Sequence, residues 1–551
     1  MAMRFTGRFD GIAIAGRVKD DRARFLAAAI LLIFWFGLSA CQQKLPEITD
    51  APPIDASTRS PTLTELPGTV TSSVAISSET PEPASQINLE PEDLRGTIIH
   101  FWYPWSGAPG QVIRSLVEEF NLNNEWGIVV VPVAQEGLDG METRLTAARR
   151  SDVPPDLVMG YLHQLMAWDQ VQPLVDLQAY YLDPYWGYTL EEQADFTPIF
   201  MDQDVVAGRR LGMPLQRSAQ VLYYNSAWAQ ALGFSAPPVT PDQFRQQVCE
   251  AAWENRNDDN MDNDGTGGWI VSTNYATALS WIFSFGGEVA GPADSQQEPY
   301  RFNSPQADEA FAFLRDLYDT NCAWLSEDPY PEAEFARRLG LVSTGSVMDI
   351  PSQAQAFERL GNRDQWSVIP YPSSRQAPVI DGYGASLAVL PSSPQEQLAA
   401  WQLIRWLLEP ANHARFVQAS GSFPIRATEL NHLEEYQKRY PQWSQALRLI
   451  PSTRSEPPIV SWGRVRWALS DAFTQLFRSY FSIDQIQTLL TYLDRTANDL
   501  HVGPEESGVF DTPTPTPLPT NTPTRTAIPS LTASPTRTSR PAPAITQTPS
   551  D

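Results

Sequence analysis

The chain has 551 residues, with 39 lysines and arginines against 64 aspartates and glutamates. The resulting net charge of -25 argues against nucleic acid as a partner and against broad adsorption to anionic membrane surfaces. Hydrophobic residues make up 42% of the chain, so it can bury sizeable cores, and its length predicts at least two lobes or domains once the tails are set aside.

The N-terminal part carries a short apolar run, residues 25–38, followed by small residues and a cysteine. Leu38, Ser39, Ala40 and Cys41 together resemble a bacterial lipobox. Residues 1–40 are therefore predicted to be a signal peptide cut before Cys41, whose sulfur would carry a lipid anchor on the extracytoplasmic face of the cell membrane. An uncleaved transmembrane helix is the alternative, but the apolar run is shorter than the roughly 20 residues that span a bilayer.

Two segments have compositions that cannot form a core. Residues 41–94 are rich in Pro, Ser, Thr and Glu with little hydrophobic periodicity, which predicts a disordered spacer. Residues 503–551 are a Thr/Pro-rich run, which predicts a disordered, polyproline-like tail. The folded domain is expected between them, over residues 95–502.

The first third of the expected domain alternates between two periodicities. Residues 97–102, 128–131 and 156–159 are short β-rich runs, and the segments between them place apolar residues at helical spacing. This βαβαβ order predicts an α/β fold with a parallel sheet covered by helices on both faces.

Two cysteines remain if Cys41 carries lipid. Cys249 lies in a helical pattern, and Cys322 follows another helical pattern. An extracytoplasmic location favours a disulfide between them. The alternative is that both are buried free thiols.

An acidic loop follows the first of these helical patterns. Asn260, Asp262 and Asp264 place oxygen ligands at alternate positions before a glycine, as in the first half of a calcium loop. Val271 stands where the twelfth position needs a bidentate glutamate. The sequence therefore favours a solvated loop, with Ca²⁺ binding as the alternative.

Capping-box signatures predict two later helices. Ser393 and Glu396 open one of them, and Ser482 and Gln485 open the other. Because the apolar pattern of the second helix runs to Leu500, we expect the folded region to end there.

Several segments, in a fixed order, resemble the family 1 extracellular solute-binding proteins, which deliver sugars and other small solutes to ABC importers. They are residues 211–225, 345–350, 381–389, 400–408, 416–421 and 424–426. The resemblance covers roughly residues 95–500 and rests on the order of these segments, because no single one is decisive.

The resemblance implies a two-lobed, periplasmic-binding-protein-like α/β fold with a ligand cleft between the lobes. Crossing strands would act as the hinge, with lobe 1 over about 95–216 and 347–382, and lobe 2 over about 217–346 and 383–502. A ligand that touches both lobes would favour closure through its greater affinity for the closed state.

Positions matching the family's cleft loops give the candidate ligand residues. They are Trp105, Ser106, Tyr161, His163, Arg217, Ser218, Trp281 and Tyr383. Aromatic faces stack on sugar rings while Arg, Ser and His bind hydroxyl groups, which suits a carbohydrate. For each aromatic residue, an ordinary core position is the alternative. Arg217 could instead bind a carboxylate or phosphate, which would indicate a sugar acid or a glycerol phosphate derivative.

Together, the lipobox and the family resemblance predict a monomeric lipoprotein that uses no cofactor and hands a small solute to ABC permease subunits. The five histidines show no metal-ligand spacing, and neither a nucleophile elbow nor a phosphate loop occurs in the sequence. A glycoside hydrolase needs only two carboxylates, which 64 acidic residues could supply, so a surface enzyme is one alternative. A carbohydrate-sensing or adhesion lipoprotein is another.

Overall fold

The computed structural model describes residues 85–148, 154–291, 298–375 and 377–502. The expected signal peptide, Cys41 and the Thr/Pro-rich tail lie outside these residues. Within them, no helix combines the length and the apolar character needed to cross a membrane.

The described residues alternate between strands and helices. The strands are β1 (Ile98–Tyr103), β2 (Val129–Ala134), β3 (Leu157–Gly160), β4 (Val205–Val206), β5 (Arg209–Arg210), β6 (Met213–Pro214), β7 (Ser218–Tyr224), β8 (Gly267–Val271), β9 (Ala323–Leu325), β10 (Gly340–Ser346), β11 (Ser367–Ile369), β12 (Ile380–Tyr383), β13 (Ser386–Val389) and β14 (Thr453–Ser455).

Helices cover the sheets formed by these strands. They are α1 (Gly107–Asn123), α2 (Met141–Ala148), α3 (Leu162–Val171), α4 (Leu177–Leu182), α5 (Leu190–Asp195), α6 (Pro198–Asp202), α7 (Ser226–Ala231), α8 (Pro241–Asn257), α9 (Tyr275–Ser284), α10 (Pro305–Asp319), α11 (Glu332–Ala336), α12 (Ile350–Leu360), α13 (Pro394–Leu407), α14 (Pro410–Ser420), α15 (Glu434–Arg439), α16 (Pro441–Ala446), α17 (Trp462–Leu476) and α18 (Ile486–Val502). Short 3₁₀ turns are Pro91–Leu94, Met261–Asn263, Val347–Asp349, Ala427–His432, Leu447–Ser452 and Ile483–Gln485.

The first sheet has the order β2-β1-β3-β13-β6, and we call it with its helices lobe 1. Strands β1, β2 and β3 are parallel, as the βαβαβ pattern predicts, with Phe101 opposite Leu157. All four residues of β3 are buried, which fits a central parallel strand with both faces covered. Strand β13 joins antiparallel to β3 and β6.

The second sheet has the order β14-β12-β7-β10-β8-β9, with β11 also paired to β7, and forms lobe 2 with its helices. Strand β7 is buried along its whole length and runs antiparallel to β10, β11 and β12. Strands β8, β9 and β10 are parallel to one another. Their carboxyl ends therefore lie at one edge of lobe 2.

The chain crosses between the lobes at different places from those the sequence analysis gives. Residues 347–382 were expected in lobe 1, yet β11 and β12 pair with β7 in lobe 2. Residues 383–502 were expected in lobe 2, yet β13 pairs with β3. The reason for the first difference is that α12 buries Phe357 against Phe335 of α11, which keeps this segment on lobe 2.

The folded region also starts earlier than residue 95. Ser85 Oγ donates to the Asp183 carboxylate at 2.9 Å, and Leu94 is buried. The last ten residues of the expected spacer thus belong to the domain, because they carry backbone and side-chain contacts that composition does not reveal. At the other end, α18 closes the described fold at Val502, and α13 begins at the predicted capping box of Ser393 and Glu396.

A disulfide joins Cys249 and Cys322 in lobe 2. It links the middle of α8 to the residue just before β9, and Cys322 is buried in the core. The bridge fixes a helix against the outer strand of the second sheet.

Candidate functional site

In both lobes, the carboxyl ends of the parallel strands lie at one edge of the sheet, and polar or aromatic side chains follow them. In lobe 1, Tyr161 directly follows β3, and in lobe 2 strands β8, β9 and β10 end at Val271, Leu325 and Ser346. Crevices at such edges are the usual ligand positions of open α/β sheets.

The edge of lobe 2 borders a cavity of about 640 Å³. Small-molecule sites typically measure about 300 to 1,000 Å³, so this volume suits a ligand of several sugar units or fewer. Tyr330 and Trp467 line the cavity and keep 72% and 52% of their surface exposed. Large rings left exposed beside a polar cavity offer flat apolar surfaces for a ligand.

A second, much smaller cavity lies where the two lobes touch. It measures about 30 Å³, is lined by Tyr161 and His163 of lobe 1 and by Glu456 and Trp462 of lobe 2, and shares Tyr383 with the larger cavity. That volume equals roughly one water molecule's share of the liquid. A sugar ring therefore does not fit at this point while the lobes keep this arrangement.

Arg466 of α17 holds the two lobes together at this contact. Its guanidinium forms an ion pair with Asp139 in the loop after β2 of lobe 1. It also lies 5.1 Å from the ring centre of Tyr161 in lobe 1 and 5.4 Å from that of Tyr275 in lobe 2. The guanidinium of Arg466 therefore contacts residues of both lobes.

His163 lies beside this arginine and is neutral. Its ring stacks on Tyr161 with centroids 5.6 Å apart, and it is buried against α17, where a Cβ on Gly463 would lie 2.7 Å from His163 Cδ2. Burial, and then the charge of Arg466, lower the pKa of His163 to about 3. Glycine at position 463 therefore permits the close approach of α17 to lobe 1.

Hydroxyl groups connect the strands at the crossing between the lobes. Tyr383 Oη donates to Ser346 Oγ at 3.0 Å, and the hydroxyls of Ser218 and Ser346 are also 3.0 Å apart. Tyr223 donates to the Ser346 carbonyl oxygen at 2.5 Å. Because Ser346 and Tyr383 both line the larger cavity, this network ties the cavity wall to the hinge strands.

Two carboxyl groups lie at the small cavity: Glu456 lines it, and Asp381 is fully buried next to its lining residue Gly382. Neither carboxylate oxygen of Asp381 has a hydrogen-bond partner among the described residues, and Glu456 accepts from Trp462 Nε1 at 2.9 Å. Burial, and then the charge of Glu456, raise the pKa of Asp381 well above its usual range. Burial likewise raises the pKa of Glu456.

The structure brings three of the sequence-derived candidates together: Tyr161, His163 and Tyr383 line the small cavity. Ser218 is buried and does not line this cavity, but its hydroxyl lies 3.0 Å from that of Ser346, which also accepts a hydrogen bond from Tyr383. Trp105 and Ser106 lie after β1 at the start of α1, where Ser106 is exposed and Trp105 packs on Phe416. These last two remain candidates on the lobe 1 edge.

Two candidates are corrected by their burial. Arg217 is 1% exposed, and its guanidinium is paired with Asp204 at 2.6 Å and donates to Ser386 Oγ at 3.0 Å, so it stabilises the crossing. Trp281 is fully buried in the core of lobe 2, with Phe244 and Trp269 as ring neighbours. Neither side chain is exposed to a ligand in this arrangement.

The acidic loop is organised by its own hydrogen bonds. Asn260 Oδ1 accepts from the backbone of Asp262, and Asp258 accepts from Asn260 and Asn263. In the part of the chain that the structure describes, no group of three or more His, Cys, Asp or Glu residues could hold a metal ion. Asp264 and its neighbours in the loop therefore do not form such a group.

Sequence reasoning missed the residues that form most of the cavity wall. Tyr330 stands between two prolines in the loop after β9, and Trp467 is an exposed aromatic on a helix. A large aromatic residue at a solvent-facing helical position is a signal that helical periodicity alone could have given for Trp467.

Comparisons with known proteins agree with this architecture. Residues 115–442 match the family model described as bacterial extracellular solute-binding protein. A binding protein of Brucella abortus is 20% identical over 297 residues, covering 54% of this chain and 70% of that protein. The sn-glycerol-3-phosphate-binding periplasmic protein of Yersinia pestis is 23% identical over 380 residues, covering 66% of this chain and 82% of that protein.

A solved structure has the same fold. The sugar-binding protein MalE of Xanthomonas citri superposes with a TM-score of 0.63 at 20% identity, covering 74% of this chain and 98% of that protein. At this level of identity the likeness establishes the two-lobed fold, and the ligand has to be argued from the residues of this chain.

Proposed function

The chain belongs to the family of bacterial extracellular solute-binding proteins, and we propose that it captures a carbohydrate and delivers it to the permease subunits of an ABC importer. Members of this family act outside the cytoplasm and bind small molecules. The family is one of binding proteins, so the chain is not an enzyme and the glycoside hydrolase alternative is set aside.

One observation carries the carbohydrate assignment. The cavity of about 640 Å³ combines exposed rings, Tyr330 and Trp467, with hydroxyl-bearing residues of the strand ends such as Ser272, Thr273 and Ser346. Sugars present apolar ring faces and many hydroxyl groups, and a site that binds both needs this mixture.

The ligand would be held between the lobes, with Tyr383 at the centre because it borders both cavities. Tyr161 and His163 would face the ligand from lobe 1 across Tyr383, since the small cavity itself admits no sugar ring, and Trp105 and Ser106 extend the same edge. Such a ligand would stabilise the closed arrangement in proportion to its extra affinity for it.

The remaining parts of the proposal concern placement in the cell. Cys41 would carry the lipid. The spacer after it would hold the folded domain away from the membrane. The protein would act as a monomer. Residues 503–551 would extend from the opposite end of the domain sequence.

A thermal-shift screen of the purified protein tests this function. Neutral sugars, sugar acids, glycerol phosphates and polyamines would be added separately, and the solute would be analysed afterwards. A ligand that binds only the folded state stabilises it by about 2.7 kcal/mol at a hundredfold excess over its dissociation constant. A rise in melting temperature with a sugar recovered unchanged is expected. No shift with any carbohydrate, or cleavage of the sugar, would contradict the proposal.

A further inference from the structure

All charged side chains that line the larger cavity are acidic. Asp328, Glu332, Asp349 and Asp471 line it, and no Lys, Arg or His occurs among its lining residues in the described part of the chain. A ligand in this cavity therefore meets several carboxylates and no compensating cation.

These carboxylates have no protein cation as a partner. None of the four takes part in an ion pair among the described residues. The arginine nearest in sequence to Trp467 is Arg466, whose charge is already paired with Asp139. Desolvation by the surrounding cavity wall, and then the charge of Glu332, raise the pKa of Asp349 to about 6, although the side chain keeps contact with solvent.

An independent feature indicates that the cavity receives a polar ligand. Ser343 of β10 lines it and is only 2% exposed, yet its hydroxyl makes no hydrogen bond within the described residues. Ser343 Oγ is not among the fully buried unpartnered atoms, so the hydroxyl keeps access to the cavity and can bond a polar ligand there. The ring of Tyr330 adds a surface that attracts cations as well as sugar faces, whereas the ring of Trp467 already has the Arg466 guanidinium 5.1 Å from its centre.

A metal ion does not explain the charge, because no set of three or more acidic, His or Cys side chains among the described residues could hold one. We infer that the cavity selects a polyhydroxylated solute bearing a protonated amine, such as an amino sugar, and discriminates against phosphorylated and carboxylated solutes. This inference rests on the proposed function and narrows its substrate class. It separates this chain from the relative named for glycerol 3-phosphate, since a phosphate would face like charges here.

Calorimetric titration with ligands that share a sugar backbone and carry a positive, a neutral or a negative substituent tests the inference. Each set contains an amine, a neutral sugar and a phosphate on one backbone: glucosamine, glucose and glucose 6-phosphate, with the corresponding α-1,4- and β-1,4-linked disaccharides. In the set that binds, we expect the amine to bind most tightly and the phosphate most weakly. A hydrogen bond between charged groups favours the amine over the neutral sugar by about tenfold or more.

Variants connect the preference to the cavity. Asp349→Asn and Glu332→Gln should each reduce the amine-to-neutral affinity ratio by about tenfold, because each removes one charge that faces the amine. Asp499→Asn removes the same charge from an exposed position of α18 and should leave the ratio unchanged. Melting curves would confirm that each variant is folded. If one of the two cavity variants fails to fold, the other still tests the inference.

The outcomes separate the two proposals. Tightest binding of a phosphate, or of the neutral sugar, would overturn the inference while leaving carbohydrate capture intact. An amine preference that survives both cavity variants would also overturn it. Absence of binding by every member of every set, in a folded protein, would overturn carbohydrate capture and this inference together.

Discussion

At the scale of single residues, Arg217 shows how burial decides a role that sequence leaves open. Its ion pair with Asp204 is enclosed at the crossing, with side-chain exposures of 1% and 2%. Removing one partner of a buried pair leaves an uncompensated charge, so Arg217→Ala should lower the free energy of unfolding by about 3 to 5 kcal/mol. Urea unfolding measures this loss. An unfolding free energy equal to that of the wild type, with weaker ligand binding, would instead make Arg217 a ligand contact.

His413 is a buried residue with a pH-dependent role at the same crossing. Its Nδ1 lies 2.7 Å from the Glu429 carboxylate and its Nε2 lies 2.7 Å from the Leu215 carbonyl oxygen. Both partners are acceptors, so both ring nitrogens must carry protons. Burial by itself would lower the pKa of His413, but Glu429 and the Leu215 carbonyl raise it overall.

The sign of the pH dependence follows from this raised pKa. Stabilisation by the protonated ring is fully present below the unfolded pKa of about 6.5 and is lost as the pH rises through the higher folded pKa. Unfolding free energies measured from pH 6 upward should therefore fall more steeply for the wild type than for His413→Asn. Parallel pH profiles for the two proteins would contradict the charged pair.

At the scale of elements, α17 is the helix that brings the lobes together. A Cβ at position 463 would lie 2.7 Å from His163, so Gly463→Ala overpacks the closed arrangement while leaving the charge of Arg466 in place. Overpacking costs about 1 to 3 kcal/mol, which would weaken ligand binding by about 5- to 150-fold if it falls on the closed form alone. Titration calorimetry gives the affinity, and an unchanged dissociation constant would show that this contact is absent from the bound state.

The disulfide is the second element-level feature with a measurable effect. It spans a sequence separation of 73 residues between α8 and β9. Closing such a loop typically stabilises a fold by about 2 to 4 kcal/mol. The double variant Cys249→Ser with Cys322→Ser should therefore unfold at lower urea concentration than the wild type. The reverse result, coincident unfolding curves, would mean that the bridge adds nothing to lobe 2.

Elements were largely predictable because their signals are local. Strands β1, β2 and β3 follow from periodicity, and α13 follows from its capping box at Ser393. The lobe assignment of residues 347–382 was not predictable, because a strand has the same local sequence pattern whether it pairs in the sheet of lobe 1 or in that of lobe 2. Only the long-range pairing of β11 and β12 with β7 decides between them.

At the scale of the whole molecule, the site depends on distant parts of the chain meeting. Tyr161, His163 and Tyr383 could be proposed because each follows or lies in a recognisable strand. Trp281 could not be separated from them, since an aromatic residue near a loop has the same sequence signature whether it faces a cavity or a core. The carboxylates of the larger cavity were not found, because they come from separate loops and helices that only the fold unites.

Ligand-dependent closure of the two lobes is the central claim, and an interlobe distance measures it most directly. Fluorophores on Leu122→Cys in α1 and Tyr492→Cys in α18 would report it, since both positions are exposed, at 83% and 62%. We expect the sugar found by the thermal-shift screen to shift the distance distribution of the population toward one closed state, and Gly463→Ala to require more ligand for the same shift. Saturating ligand that leaves the distribution unchanged would contradict capture between the lobes.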